Sequence, residues 1–210
     1  MTERSASRAA LLALRRERRV IEEGHRFLDE RRVALAHELL LRARRHQAHA
    51  GAFLARHERA RAALGDAVGR HGLEGVQAYP PAAPGTAAVR HEAVPFLGLL
   101  LINAASLELA ANPGADPAWR TSEAERCARA FGALAEAAAA LAGEVASLLR
   151  LMAEYRKTER RVRALENIVL PEARAAERRF EAALEELDQE EVMRARRFAA
   201  DPAAAPAAAS

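Results

Sequence analysis

The stretch FGALAEAAAALAGEVASLLRLMAEYRKTERRVRALENIVL, residues 131–170, decides the fold. Its apolar side chains recur every seven residues, which is typical of a helix that packs along a partner helix. The seam consists of Leu134, Leu141, Leu148, Tyr155, Val162 and Val169, with partner positions at Phe131, Ala138, Val145 and Met152. After a shift of phase, the apolar face continues through Leu165, Phe180, Leu184 and Leu187. The stretch therefore predicts one long helix with a narrow apolar seam.

A second block near the N-terminus has the same period. Its stripe consists of Leu14, Ile21, Leu28 and Leu35, widened by Leu11, Phe27 and Leu39. Because proline is absent from 7–64 and Pro171 is the only proline of 122–200, we expect an N-terminal helix over 1–68 and a C-terminal helix over 122–200. The predicted fold is all-α, with these helices paired as a long antiparallel two-helix coiled coil.

The segment between the two blocks, 69–121, has a different composition. Four glycines between 65 and 75 mark the expected end of the first helix, and six of the nine prolines lie between 65 and 122. We expect a small, partly irregular knob here, with a short β-hairpin across Val76–Val94. The apolar run Phe96–Ala111 favours a buried helix over a membrane span, because a span needs about 20 apolar residues.

Two boundary signals complete the predicted organisation. Thr121 or Ser122 is expected to cap the second helix, with Glu123 and Glu125 in the first turn, where the helix dipole favours acids. The last residues, 201–210, are low in complexity and predict a disordered tail.

The composition limits the classes of function. Of the 210 residues, 54 are alanine and 31 of the 32 basic residues are arginine, which leaves a formal net charge of +3. So much alanine and 4% aromatics argue against the thick core of an α/β or β-sandwich domain. The near-neutral balance argues against a protein that wraps nucleic acid. One cysteine and no secretory signal point to the cytosol.

We find no pattern that predicts a catalytic residue, a cofactor or a metal site. The only lysine, Lys157, has no phosphate-binding glycines before it. His46, His49 and His57 lack a completing ligand at metal-binding spacing and are expected to face solvent. Cys127 has no neighbouring histidine, so we expect it to serve packing.

The arginines are unevenly distributed along the chain. Residues 1–65 carry fifteen arginines and eight acids, a net charge of +7. Such runs usually form a solvated helix face, but two clusters are dense enough to meet an acidic partner. They are Arg15, Arg16, Arg18 and Arg19, and Arg156, Lys157, Arg160, Arg161 and Arg163.

Pro171 interrupts the second block. Proline removes a backbone hydrogen bond, so this residue should bend the helix or loosen a turn. The bend is either a tolerated kink without a function, or a bend whose fixed position along the helix serves the function.

The string KTERRVRALENIVLP, 157–171, resembles the K-T-x-R-R-V-N-A-L-E-x-x-x-I-P stretch of the D subunit of V-type ATP synthases and ATPases. Arg163 replaces the usual Asn and Leu170 the usual Ile. The matching positions are Lys157, Thr158, Arg160, Arg161, Val162, Ala164, Leu165, Glu166 and Pro171.

Both ends of the chain are similar to the same family. The opening matches at Ser7, Arg8, Leu11, Leu14 and Arg15, and the next segment at Gly24, Leu28, Arg31, Arg32, Ala34 and Leu35. Val33 stands where the family has Asp. The ending LEELDQEEVMRARRF, 184–198, is also family-like, with Gln189 in place of Arg. The resemblance covers both predicted helices, and it suggests interface roles for the 157–171 positions and for Arg8, Gly24, Arg31 and Arg32.

The resemblance implies a non-catalytic rotor shaft without a cofactor. In this family the paired helices turn inside a ring of catalytic and non-catalytic subunits. The middle knob binds a small second stalk subunit and a funnel-shaped subunit that leads to the membrane rotor ring. The shaft is peripheral on the cytoplasmic face and is neither inserted in the membrane nor bound to nucleic acid. The alternative from residues alone is a coiled-coil adaptor or membrane-surface scaffold.

Overall fold

The computed structural model describes residues 7–79, 87–109 and 121–200, apart from the side chains of 109, 199 and 200. The elements are helix α1 (Arg8–Gln77), strands β1 (Ala87–Phe96) and β2 (Leu99–Leu109), helix α2 (Ser122–Ala164), a π-helical turn (Leu165–Val169) and helix α3 (Leu170–Ala200). Helix accounts for 85% of the described residues, and β1 and β2 form a small antiparallel sheet. The mostly helical fold is therefore confirmed, while coiled-coil pairing stays a prediction.

Helix α1 is longer than the sequence indicates. Ser7 caps it, since its Oγ accepts a hydrogen bond from the Ala10 amide at 3.2 Å. The predicted end near residue 68 is a few residues early, because helical geometry continues through Gly65 and Gly69 and breaks at Gly72, inside the glycine run, before a short helical segment to Gln77. Isolated glycines weaken a helix by only about 1 kcal/mol each, which packing offsets. Within α1 only Gly72 leaves helical geometry, with φ 71° and ψ 168°.

The hairpin exists, but it lies later in the chain than predicted. It spans 87–109 rather than Val76–Val94, and 80–86 lie outside the described residues. The expected buried helix over Phe96–Ala111 is wrong, because 99–109 form β2 and Leu100 is 61% exposed. A continuous apolar run fits a strand as well as a helix, so its periodicity could not distinguish the two.

The turn of the hairpin is tight. Phe96 pairs with Leu99, so Leu97 and Gly98 form a two-residue loop. Their φ angles are 47° and 80°, and positive φ at both positions defines the type I′ turn that matches the twist of a hairpin. Leucine seldom adopts this conformation, whereas glycine adopts it freely.

Helix α2 begins as predicted. The Thr121 hydroxyl accepts from the Ala124 amide at 3.4 Å, which makes Thr121 the capping residue. The same hydroxyl lies 2.7 Å from Nε2 of His71 at the end of α1. The pKa of Glu123 is lowered, first by a hydrogen bond from its own backbone amide and then by one from Ser122.

Pro171 lies two residues after Val169, the last residue of the π-helical turn. In this turn the Leu170 amide donates to the Leu165 carbonyl, five residues back. The wider turn makes room for the proline ring, which cannot donate the next bond. The predicted loosening of a turn is therefore confirmed.

The chain divides into two units, each with its own packing. We call Met1–Arg31 with Lys157–Ser210 the terminal unit and Arg32–Arg156 the middle unit. The core of the middle unit consists of Leu35, Leu101 and Leu151, with Leu39, Phe96, Leu99 and Tyr155 packed against it. The expected division at 1–68, 69–121 and 122–200 stays a prediction, and the tail 201–210 lies outside the described residues.

The predicted apolar stripes are buried only in part. The first stripe is confirmed where Leu14, Ile21 and Leu28 are half-buried and Leu35 is fully buried. Five positions expected on the apolar stripes are exposed instead, namely Phe27, Phe131, Val145, Met152 and Leu187. Along α2 the predicted seam is confirmed at Val162, which is buried, while Leu134, Leu141, Leu148 and Tyr155 are half-buried. Other buried positions of α2 lie off the predicted seam and include Ala137, Glu144, Ser147, Leu151 and Thr158. The buried positions of α2 therefore include polar groups that need partners.

Candidate functional site

A buried arginine joins α1 to β2 in the middle unit. Arg42 is only 3% exposed, and its Nη1 donates to the Ile102 carbonyl at 2.7 Å. Its Nε donates to the Glu38 carboxylate at 2.9 Å, and Nη1 lies 3.4 Å from Oε2 of Glu144. Glu144 is 4% exposed, so a charge pair is held away from water. Burial of this kind fixes the geometry of the groups involved.

Side chains of α2 complete the attachment of β2. The Ile102 amide donates to Oγ of Ser147 at 2.8 Å, and the Ser147 hydroxyl lies 3.2 Å from the Ile102 carbonyl, to which it can donate. Arg150 donates from Nη1 to the Leu100 carbonyl at 2.7 Å. We call Arg42, Ser147 and Arg150 the hairpin clamp. Together they satisfy backbone groups along the outer edge of β2.

A glycine lets α2 approach the strand closely. A Cβ at Gly143 would lie 2.9 Å from Cβ of Ala105 and 3.0 Å from Cγ2 of Ile102. Contacts this short force a shift of the backbone or of the neighbours. The strand itself is irregular here, because the register slips between Glu92 and Ala93 and leaves Asn103 as an extra residue.

The cavity beside the clamp is small. Its volume is about 170 Å³, and its lining includes His49, Asn103, Glu144 and Gly143. Pockets for drug-sized ligands usually measure about 300–1,000 Å³. The clamp is therefore better suited to hold the hairpin than to bind a substrate.

The terminal unit is held by ion pairs between α1 and α3. Four of these pairs show the order of the contacts: Arg8–Asp188 at 3.4 Å, Arg15–Glu181 at 2.6 Å, Arg18–Glu177 at 2.6 Å and Glu22–Arg174 at 3.3 Å. The partner numbers fall as the α1 numbers rise, so the two segments run antiparallel. We call these the cross-helix ion pairs. Arg15 also contacts Glu177, at 3.1 Å.

The ion pairs shift the titration of their members. Hydrogen bonds from Arg18 and then Arg174 lower the pKa of Glu22. The bond to Glu181 raises the pKa of Arg15, and the bond to Glu22 raises that of Arg18. Arg15 and Arg18 of the cluster at 15–19 are thus bound to acids of the same chain, whereas Arg16 and Arg19 are exposed, and contact of the cluster with an acidic partner stays a prediction. A helical wheel would have indicated that Arg15 and Arg18 face another helix, since both adjoin the apolar stripe.

The family-like motif has an inner and an outer face. Thr158 and Val162 are buried, at 2% and 1% exposure, and Leu165 is half-buried. An exposed stripe with helical spacing of three and four residues contains Lys157, Arg160, Arg161, Ala164 and Ile168. We call Lys157, Arg160 and Arg161 the basic face. Glu166 and Pro171 are also exposed, and Arg163 pairs with Glu159 at 2.6 Å.

The N-terminal motif residues lie in different surroundings. Arg8 is exposed and belongs to the cross-helix ion pairs. Gly24 is half-buried, and a Cβ there would meet no atom within 4 Å. Arg31 and Arg32 are half-buried, and each interacts with other groups of the chain. These four residues differ in exposure and in partners, and their interface role stays a prediction.

Arg42, Glu144 and Ser147 were not predicted from the sequence as functional or structural site residues. A signal was available for Arg42, because it lies seven residues after Leu35 and so occupies the next position of the apolar stripe. A charged residue in a seam requires a partner.

The histidines and the cysteine have structural surroundings. His46 and His49 are half-buried, contrary to the expectation that they face solvent, whereas His57 is exposed and stacks on Phe53 with ring centroids 6.3 Å apart. Burial raises the pKa of the Cys127 thiol. Within 7–79, 87–109 and 121–200, no three His, Cys, Asp or Glu side chains group as a metal site would require.

One helical stretch has the composition of a membrane span. By length and hydropathy alone, part of Ser122–Phe198 passes this test within the described residues. A single such helix is weak support for insertion, because alanine-rich core helices have the same composition.

Known proteins match almost the whole chain. The family model described as the ATP synthase D subunit matches residues 10–200. The D subunit of the V-type ATP synthase of Anaeromyxobacter dehalogenans is 33% identical over 215 residues, covering 95% of this chain and 97% of that relative. The D subunit of the V-type ATP synthase of Thermus thermophilus is 31% identical over 211 residues, covering 94% and 88%. Because the match runs from the first turns of α1 to the end of α3, the chain belongs to the family of ATP synthase D subunits.

Proposed function

We propose that this chain is the central-stalk subunit of a V-type ATP synthase or ATPase. In this role it transmits torque between ion translocation in the membrane rotor and ATP synthesis or hydrolysis in the catalytic ring. The chain itself performs no catalysis. Its partners are the catalytic and non-catalytic ring subunits, a small second stalk subunit and a funnel-shaped subunit that leads to the membrane ring. The complex holds it peripherally on the cytoplasmic face of the membrane.

The observation that carries this proposal is the antiparallel order of the cross-helix ion pairs between α1 and α3. Such pairs flank the seam of a two-stranded coiled coil and fix its register. Coiled-coil pairing of these helices follows as part of the proposal. A shaft needs this kind of fixed register because torque would otherwise slide one helix along the other.

The basic face supplies the contact with the ring. Lys157, Arg160 and Arg161 are exposed on one side of α2 within the terminal unit. Turning an asymmetrically charged surface changes which ring subunit it contacts, and differential contact shifts the populations of conformations. We expect acidic ring surfaces opposite the basic face.

Charge reversal tests this role. The double substitution R160E/R161E in the assembled complex should reduce ATP-driven ion pumping more than ATP hydrolysis, while the helix content stays unchanged. The matched control is R44E/R45E, which changes the same charge at two exposed arginines of α1. Unchanged pumping in R160E/R161E would count against the basic face.

Copurification tests the assignment itself. A tag on this chain should recover a ring of large nucleotide-binding subunits from the native membrane. If the chain is recovered alone, and its deletion leaves membrane ATPase activity coupled, the stalk role is wrong. Salt-sensitive flotation of the isolated chain with acidic liposomes would instead favour the membrane-surface scaffold.

A further inference from the structure

The two outer edges of the hairpin differ in their hydrogen bonding. Along β2, backbone groups of Leu100 and Ile102 bond to the hairpin clamp. Along β1, residues 87–95 are exposed. Within the described residues, no hydrogen bond outside the hairpin reaches the backbone of these nine residues. An unpaired edge of this length is a template for another strand.

The register shows which backbone groups face the free edge. In an antiparallel pair, directly opposite residues either bond to each other or both face away. Leu100 and Ile102 face away from β1, so their partners Pro95 and Ala93 face the free edge of β1. Pro95 fits this position because it has no amide hydrogen to donate. Alternation along the strand adds His91, Val89 and Ala87 to the same edge.

The side chains of β1 are complementary to a second β1. Arg90, His91 and Glu92 stand at its centre, flanked by Val89 and Ala93. If two copies of β1 pair antiparallel around His91, Arg90 of each copy faces Glu92 of the other. Opposite charges placed directly across a sheet stabilise the pairing. The same pairing sets Pro95 opposite Ala87 near the ends, where a missing donor affects only a terminal bond.

We propose that the unassembled chain pairs with a second copy through the free edge of β1, which makes a four-stranded antiparallel sheet. This inference does not depend on the stalk role, because it concerns the chain before assembly. One strand edge buries little surface, so the dimer is weak and depends on concentration.

Sedimentation equilibrium of the purified full chain tests the proposal. The mean mass should rise towards that of a dimer as the protein concentration increases over a dilution series. Ala93→Pro removes an amide hydrogen from the free edge without removing a bond between β1 and β2, so the dimer fraction should fall severalfold. A monomer at every concentration would overturn the proposal, as would an undiminished dimer of Ala93→Pro.

A charge-swap experiment separates this dimer from unspecific aggregation. Glu92→Arg places two arginines opposite each other at each end of the central triplet, and Arg90→Glu places two acids there, so each variant alone should be monomeric. A mixture of the two should form a heterodimer, detectable by native mass spectrometry. Arg90 also forms an ion pair with Glu108 of its own chain at 2.6 Å, and Arg90→Glu removes this pair. Formation of the heterodimer would show that β1 of this variant can still pair with another strand. If each variant still dimerises alone, or the mixture stays monomeric, the proposed pairing is wrong.

Discussion

Arg42 and Glu144 face each other inside the middle unit, with Nη1 3.4 Å from Oε2, and the same Nη1 lies 2.7 Å from the Ile102 carbonyl. The guanidinium therefore compensates a buried carboxylate and a strand carbonyl together. Because neither charged group is accessible to water, the pair behaves as one element that ties α1, α2 and β2 together.

Removing the arginine alone should be costly. Arg42→Met leaves Glu144 buried without its charge partner, so we expect the free energy of unfolding to fall by about 3–5 kcal/mol. Urea denaturation followed by circular dichroism measures the loss. In R42M/E144Q the uncompensated charge is absent, so the double variant should be more stable than R42M. A double variant that loses the sum of the two single effects would contradict the coupling.

Two glycines of α2 should respond to alanine in opposite directions. Gly143→Ala places a Cβ 2.9 Å from Cβ of Ala105, so we expect a loss of about 1–3 kcal/mol. At Gly132 a Cβ would meet nothing within 4 Å, so Gly132→Ala should gain about 0.5–1 kcal/mol through helix propensity. Thermal melts of the pair measure the difference, and equal shifts would contradict the close approach of β2.

The hairpin turn offers a stabilising substitution. Leu97 has a φ of 47°, where leucine is disfavoured and asparagine is tolerated. Leu97→Asn should therefore stabilise the hairpin by about 0.5–1 kcal/mol, since left-handed backbone costs other residues about 1–2 kcal/mol. Amide exchange of β1 and β2 reports the change. Leu100→Asn, at an exposed strand position, serves as the control and should slightly weaken the hairpin.

Acid should weaken the terminal unit through Glu22. Its pKa is lowered by Arg18 and Arg174, so the ionised form is bound more tightly in the folded state than in the unfolded state. The stabilisation is fully present above the ordinary value of 4.5 and is lost as the pH falls through the lowered pKa. Melting temperatures measured from neutral pH to below 4.5 should fall less steeply in Glu22→Gln. Glu17→Gln is the control, since Glu17 is exposed on α1 and makes no ion pair within the described residues; identical pH slopes in both variants would refute the role of Glu22.

Periodicity predicted the helices well where aliphatic side chains define it. Leu14, Ile21, Leu28 and Leu35 are all at least half-buried, and Thr121 caps α2 as expected. The glycine run located the break in α1 to within a few residues, because Gly65 and Gly69 are tolerated in the helix whereas Gly72 departs from helical geometry.

The hairpin clamp was harder to predict because the residues that contact one another are far apart in the sequence. Arg42 and Glu144 are 102 residues apart, and only the fold shows that Nη1 of Arg42 contacts both Glu144 and the Ile102 carbonyl. The strand β2 was mistaken for a helix because its leucines form a continuous apolar run rather than an alternating one. Side-chain bonds to a strand edge leave no local pattern in the sequence.

The π-helical turn also changes how the sequence of α3 aligns with that of α2. The buried Val162 and Leu170 are eight residues apart across it, one more than a heptad. One additional residue in a turn advances every later side chain by about 100° around the helix axis. The wider turn takes up this extra residue, so Glu177 and Glu181 still face Arg15. We therefore expect a one-residue deletion within 165–169 to be better tolerated than one in the regular part of α2 or α3, because the turn can then close to ordinary α-helical geometry.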